Sequence, residues 1–245
     1  MKKVNDPGKK LGKRHPFWLI LLLVILGIMF GHLGYRDIAA LGKAHQKLIV
    51  KYFKVKCDRI PSYSTIRRAM ILVNTSNLVE VFNQWTRSLT PVMPNSDCVS
   101  IDGKCLKSTC INHNNKHQNI VSIVSLFSQT SGLVLRLQNF ENKKSSEIKR
   151  VQELVKTEAT EGPVFTFDAL HCQKKTTTAI TESKNDYTIA LKGNQKKLLK
   201  AALQISESQP PLSESQTVDI SQGRQIVRKV SVFDIEPLKL AEFER

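Results

Sequence analysis

The chain has 245 residues, 41% of them hydrophobic, which is enough to bury one large core or two small ones and excludes a wholly disordered polymer. Lys and Arg number 37 against 21 Asp and Glu, for a formal charge of +16, and residues 1–60 alone carry +10 of it. This balance favours a polyanionic partner, either nucleic acid or an anionic membrane surface, with a soluble protein carrying a basic tail as the plainer alternative.

Residues 1–14 read as a basic, disordered leader, and residues 15–92 as a helical domain. Phe17–Phe30 is an almost wholly apolar run of fourteen residues preceded by Lys9, Lys10, Lys13 and Arg14. A spanning helix needs about twenty apolar residues, and lengthening this one to residues 17–34 takes in Gly31, His32 and Gly34. Composition leaves a membrane segment and a buried core helix equally open; Pro16 suits the first turn of either. A helix from Tyr35 to Tyr52 follows, then a break at Arg59–Ser62, a helix over Thr65–Val73 capped by Ser62 or Ser64, and another over Ser76–Leu89. In the last of these, Leu78, Val81, Phe82 and Trp85 recur at helical spacing and are expected in the core.

Beyond residue 97 the pattern changes to short strands alternating with helices, which predicts an α/β domain with a mixed sheet over 97–245. The predicted strands are Val99–Ile101, a hairpin of Asn119–Leu126 with Gly132–Gln138, Val164–Phe167, Tyr187–Leu191 and Val227–Phe233. Helices are expected over Ser145–Thr157, Cys172–Glu182 and Lys196–Ile205, with Gln209–Gln216 as a loop.

Two strands end on an aspartate: Val99-Ser100-Ile101-Asp102 and Val164-Phe165-Thr166-Phe167-Asp168. A strand tip holds a carboxylate rigidly, and two such tips side by side can hold Mg²⁺ through oxygen ligands, the arrangement of a metal-dependent phosphoryl-transfer site. Lys104 and Lys107 follow the first aspartate and read either as phosphate contacts or as solvated surface lysines. The five cysteines, Cys57, Cys98, Cys105, Cys110 and Cys172, form no CxxC pair and read as reduced cytosolic thiols. His113 and His117 with Cys110 have a loose metal-site spacing, but the stretch between them reads as a polar turn.

An ordered set of phrases extends the signal over nearly the whole chain: Arg14-His15-Pro16, Gly34-Tyr35-Arg36-Asp37-Ile38-Ala39, Ile60-Pro61-Ser62, Thr65-Ile66-Arg67-Arg68 and Ile101-Asp102-Gly103-Lys104. It continues through Lys143 to Glu147-Ile148, Phe167-Asp168-Ala169-Leu170-His171-Cys172-Gln173, Asp186-Tyr187, Leu191-Lys192-Gly193-Asn194-Gln195 and Gly223-Arg224. With these phrases the chain resembles the H-repeat-associated group of DDE insertion-sequence transposases. The resemblance implies a helical N-terminal domain facing DNA, with the apolar run inside it, followed by a ribonuclease H-like catalytic domain. It implies DNA strand cleavage and transfer in transposition, in the bacterial cytoplasm, on transposon ends and target DNA, with a homodimer as the form that synapses two ends. Asp102 and Asp168 match the first two of three carboxylates that hold two Mg²⁺ (or Mn²⁺) ions about 4 Å apart. Lys104, Lys107, Lys192, Asn194 and Arg224 are the expected DNA contacts, and His171 and Gln173 lie where they could orient water or DNA, although Gln173 could instead cap the helix after it.

The third carboxylate departs from the pattern. The family has an acid just after a His-Gly-Arg phrase, whereas here Gln222-Gly223-Arg224 is followed by Gln225 and Ile226. Glu236, Glu242 and Glu244 are later acids without a tie to the site; Glu147 reads as a helix-surface residue or a site carboxylate, the former being favoured. The expectation is a catalytic domain incomplete at its C-terminus, or a decayed copy, with weak or absent strand transfer. The competing reading is a non-catalytic remnant that binds DNA or is anchored to the membrane through residues 17–34. A nuclease that cuts without transposing would use the same aspartates.

Overall fold

A computed structural model of the chain describes residues 1–8, 13–56, 58–90, 97–106, 109, 120–141, 146–158, 161–221 and 223–234. Lys107, the Cys110–His113–His117 group, Gln222 and the later glutamates Glu236, Glu242 and Glu244 lie outside the described residues. The chain divides into two compact units, residues 1–93 with 103–147 and residues 94–102 with 148–245, the boundary falling inside one strand.

The first unit opens with five helices: α1 (Phe17–Met29), α2 (Tyr35–Ala44), α3 (Gln46–Phe53), α4 (Tyr63–Leu72) and α5 (Thr75–Leu89). The apolar run forms α1 and supplies the centre of the core, where Leu19 and Leu23 are wholly buried with Ile38 of α2 and Ile66 of α4. Each such side chain contributes about 1.5–3 kcal/mol by leaving water. At thirteen residues, α1 is about 20 Å long, short of a 30 Å bilayer core, and no helix among the described residues is long and apolar enough to cross a membrane.

Four expectations for this half are corrected. Ser62 stands at the N-cap of α4, but no side chain caps that helix; the Ser62 hydroxyl meets those of Ser64 and Thr65 instead. Tyr35–Tyr52 is two helices, because His45 leaves helical geometry at φ −103°, ψ 17°. Trp85 is 55% exposed; it lies on the outer side of α5, edge-to-face with Phe82 at 5.9 Å, while Leu78 and Val81 pack on the core. The leader is held at two described points: Val4 is buried in the helical core, and the Asn5 N–H donates to Asn77 Oδ1 at 2.8 Å.

Strands β1 (Cys98–Cys105), β2 (Val121–Ser128), β3 (Leu133–Glu141), β4 (Val164–Phe167) and β5 (Asp186–Ile189) form one sheet in the order β3-β2-β1-β4-β5. In the first unit β2 and β3 make the expected antiparallel hairpin. Helix α5 covers its outer edge: Asn83 Nδ2 donates to the Leu137 carbonyl and Asn83 Oδ1 accepts from the Leu137 N–H, both at 2.9 Å. Thr86 Oγ1 donates to the Leu135 carbonyl at 2.6 Å. The side chains thus satisfy backbone groups that an edge strand leaves open.

In the second unit β1 pairs in parallel with β4, and β4 with β5. Helices α6 (Glu147–Glu158) and α7 (Lys174–Glu182) make the connections expected of parallel strands; α8 (Lys196–Ser208) follows β5, and β6 (Ser213–Ser221) and β7 (Arg224–Val232) form a separate antiparallel hairpin. The mixed sheet after a helical N-terminal part is the α/β arrangement expected from the sequence. The expected loop at Gln209–Gln216 is corrected at its end, since β6 begins at Ser213. Its Ser-, Glu- and Gln-rich start has little strand propensity of its own, and pairing with β7 across the turn at Gly223 (φ 75°) supplies the strand instead.

Candidate functional site

Both candidate carboxylates lie in the second unit. On β1, Val99 and Ile101 are buried while Ser100 and Asp102 occupy the other face; on β4, Phe165 and Phe167 are buried while Thr166 and then Asp168 face the other way. The two strands run parallel with Val99 opposite Phe165 and Ser100 opposite Thr166. Side chains alternate with a period of two, so Asp102 and Asp168, each two residues past the last paired positions, continue the face that carries Ser100 and Thr166. The Ser100 and Thr166 hydroxyls confirm the shared face, lying 2.9 Å apart. Both aspartates are exposed at the carboxyl ends of the pairing segments, the end at which open α/β sheets bind ligands.

Behind Asp168 the chain turns at once. Asp168 Oδ1 accepts the Leu170 N–H at 3.1 Å and caps the short 3-10 turn Ala169–His171. Two side chains from the segment after β5 hold this turn from behind: Asn194 Nδ2 donates to the Ala169 carbonyl and Gln195 Nε2 to the Cys172 carbonyl, each at 2.6 Å. Asn194, expected on the DNA path, therefore gives its amide to the backbone beside the second aspartate. His171 is only 1% exposed, packs on the Phe167 ring at 5.5 Å and approaches Asp168 Oδ1 with Nε2 at 4.0 Å. That burial corrects the part of the expectation that had it orient DNA directly. Gln173 stands at the N-cap of α7 without capping it by its side chain; its Nε2 reaches back to the Leu170 carbonyl at 3.4 Å.

Lys104 and Lys192 are exposed, as is Arg224 on β7. Glu147, the first residue of α6, is half-buried. Within the first unit its carboxyl group lies over the Cα of Gly103, the residue that follows Asp102 in the chain, so closely that a methyl group at position 103 would overlap it. It is therefore not the free helix-surface acid favoured from the sequence. Sequence reasoning missed this contact and the bracing by Asn194 and Gln195. One signal was readable: Ser100 and Thr166 have the same spacing as Asp102 and Asp168.

Cys98, Cys105 and Cys172 are free thiols, and burial pushes the Cys172 thiol up from its ordinary pKa. Among the described residues no group of three or more His, Cys, Asp or Glu is gathered as a metal cage. The two aspartates do fit a hard divalent cation, since they present carboxylate oxygens, which Mg²⁺ and Mn²⁺ prefer, from adjacent strands.

Comparison with known proteins agrees with this architecture. Residues 94–239 match the family described as "Transposase DDE domain", and residues 1–86 match "DDE_Tnp_1-associated". The chain belongs to the DDE transposase family. Within it, the resemblance to the H-repeat-associated group is borne out: the H repeat-associated protein YhhI of Escherichia coli (strain K12) is 30% identical over 228 residues, covering 91% of this chain and 59% of YhhI. YbfL of the same strain gives the same identity and coverage, and the H repeat-associated protein YbfD is 29% identical with 91% and 88% covered. The chain thus spans 59% of the length of YbfL and YhhI. Among solved structures, the piggyBac transposase synaptic complex with hairpin DNA is similar at 12% identity and a TM-score of 0.44, over 83% of this chain and 46% of that one.

Proposed function

We propose that this chain is a DDE-type transposase protein whose residues 97–245 form the catalytic domain and whose residues 15–92 form a helical DNA-facing domain, working in the bacterial cytoplasm on transposon ends and target DNA. The observation that carries the reading is the parallel pairing of β1 with β4, in which Ser100 and Thr166 share the face that Asp102 and Asp168 continue. Together these carboxylates would hold Mg²⁺ or Mn²⁺, two ions in a complete site, and the metal would supply Lewis-acid stabilisation of charge on the phosphoryl oxygens and a nucleophilic water or hydroxyl at neutral pH.

The chain's own residues supply position. Strand pairing and the buried Val99, Ile101, Phe165 and Phe167 keep the two strand ends in register. Asp168 Oδ1 caps its own turn, and Asn194 and Gln195 hold the backbone of that turn from behind, so the second carboxylate stands on a braced segment. Exposed Lys104, Lys192 and Arg224 are the contacts to the DNA backbone, with Lys107 joining them on its place in the sequence alone. A homodimer would bring two DNA ends together.

The test is Mn²⁺-dependent nicking of supercoiled DNA, alongside direct Mn²⁺ binding. Nicking that disappears in Asp168→Asn shows a working site with a third ligand inside these 245 residues. No nicking by either protein restricts the chain to DNA binding. Mn²⁺ binding that is equal in wild type, Asp102→Asn and Asp168→Asn removes both aspartates as ligands.

A further inference from the structure

In the first unit a cavity of about 950 Å³ opens between the leader, the start of α1, the segment before α4 and α4 itself. Four permanent cations line it, Lys13, Arg14, Arg59 and Arg68, with Asp6 as the one carboxylate among the lining residues. Asp6 is engaged by Lys13 at 2.7 Å, so three guanidinium groups remain without a lining acid to answer them. Arg68 uses its Nε on the Ser64 carbonyl at 3.3 Å, which leaves its terminal nitrogens available. Among the described residues neither Arg14 nor Arg59 meets a carboxylate. Phe17, Ile20, Ile60 and Ala69 give the lining an apolar part.

The backbone adds to this positive field. Helices α1 and α4 both begin at the cavity, through Phe17 and Ser62, and neither first turn is capped by a side chain. Their free N–H groups and the helix dipoles favour an anion there. His15, also in the lining, has its pKa lowered, first by burial and then by Arg14, consistent with crowded positive charge.

We infer that this cavity is a seat for the sugar–phosphate backbone of a DNA strand, with Arg14, Arg59 and Arg68 on phosphate oxygens and the apolar part of the lining against a sugar or base. Guanidinium groups match phosphate geometry through paired N–H donors, and the cavity volume is that of a ligand-sized pocket. The inference deepens the transposase reading by naming where the N-terminal unit grips nucleic acid. It assigns this grip to a built cavity, in place of the diffuse charge of residues 1–60.

The test is binding of the full chain to a short labelled DNA duplex by fluorescence anisotropy over a NaCl series. Arg59→Ala and Arg68→Ala are each expected to weaken binding about fivefold, the scale of one lost charge-assisted contact, and to flatten the salt dependence by about one phosphate contact. Arg14→Ala should do the same, while Arg68→Lys should keep the salt slope and recover part of the affinity. The control Lys200→Ala, on exposed α8, should leave the slope unchanged. DNA binding with the same affinity and slope in all three alanine variants overturns the cavity and leaves the transposase reading intact. Vesicles of phosphatidylserine that bind the chain through these arginines while the duplex does not would overturn it in favour of a membrane surface. Loss of Mn²⁺ binding in Asp168→Asn reports on the other unit, so failure of the metal site and failure of the cavity are read separately.

Discussion

Strands β1 and β4 and strands β6 and β7 are both simple pairs, yet they are held by different physics. In the first pair one face is buried, with Val99 and Phe165 at 0% exposure. Sliding by one residue would turn those side chains outward and the aspartates inward, so the register is strongly specified. In the second pair every described residue but Ser231 is exposed. What holds it is the turn at Gly223, backbone pairing and surface contacts: Arg228 with Asp219, Lys229 with Glu214 at 2.8 Å and Ser231 with Glu214 at 2.8 Å. Exposed ion pairs of this kind contribute little. The comparison teaches that a strongly specified register needs a buried face beside it, and that the hairpin bearing Arg224 lacks one.

The largest expected effect breaks the buried pair. Phe165→Ala should lower stability by about 3–5 kcal/mol and remove Mn²⁺ binding with it. Val230→Ala on the exposed hairpin should stay within about 0.5 kcal/mol. Comparable losses in urea unfolding for the two variants would contradict the contrast.

A middle-sized effect sharpens it. Asn194→Ala leaves the Ala169 carbonyl without its 2.6 Å donor and should cost about 1–2 kcal/mol. Because Asp168 sits at the start of the same turn, Mn²⁺ affinity should fall as well, though less than in Asp168→Asn. Unchanged Mn²⁺ affinity in a folded Asn194→Ala protein would show that the brace does not act on the carboxylate.

The smallest effect concerns Gly103. Since its obstacle is the far end of a flexible glutamate, Gly103→Ala should cost about 1 kcal/mol or less as Glu147 swings away. In a double-mutant cycle with Glu147→Ala the cost should vanish, the signature of a direct contact. Additive losses would mean that backbone conformation, and not the carboxylate, requires glycine there.

Much of the architecture was legible in the chain. Alternation predicted β4 at Val164–Phe167 to the residue, and the β2–β3 hairpin nearly so, because period-two patterning with a polar turn is a local signal. The apolar run could not be assigned from composition, since a bilayer and a protein core are similar solvents for Leu and Ile. Packing on Ile38 and Ile66 decided it. Trp85 was misplaced because periodicity identifies a face without saying whether a partner covers all of it. Asn194 was read as a surface contact because an amide in a polar turn looks the same whether it meets solvent or a carbonyl 25 residues away.

By itself, then, the sequence determined the charge, the order of the elements and the two strand-end aspartates, because these are written in composition and short-range periodicity. The tertiary structure alone decided that β1 pairs in parallel with β4, that Asn194 and Gln195 brace the second turn, that Glu147 lies over Gly103, and that Arg14, Arg59 and Arg68 line one cavity. Each of these joins residues distant in the chain, and such contacts follow from strand register and core packing, which no local pattern encodes.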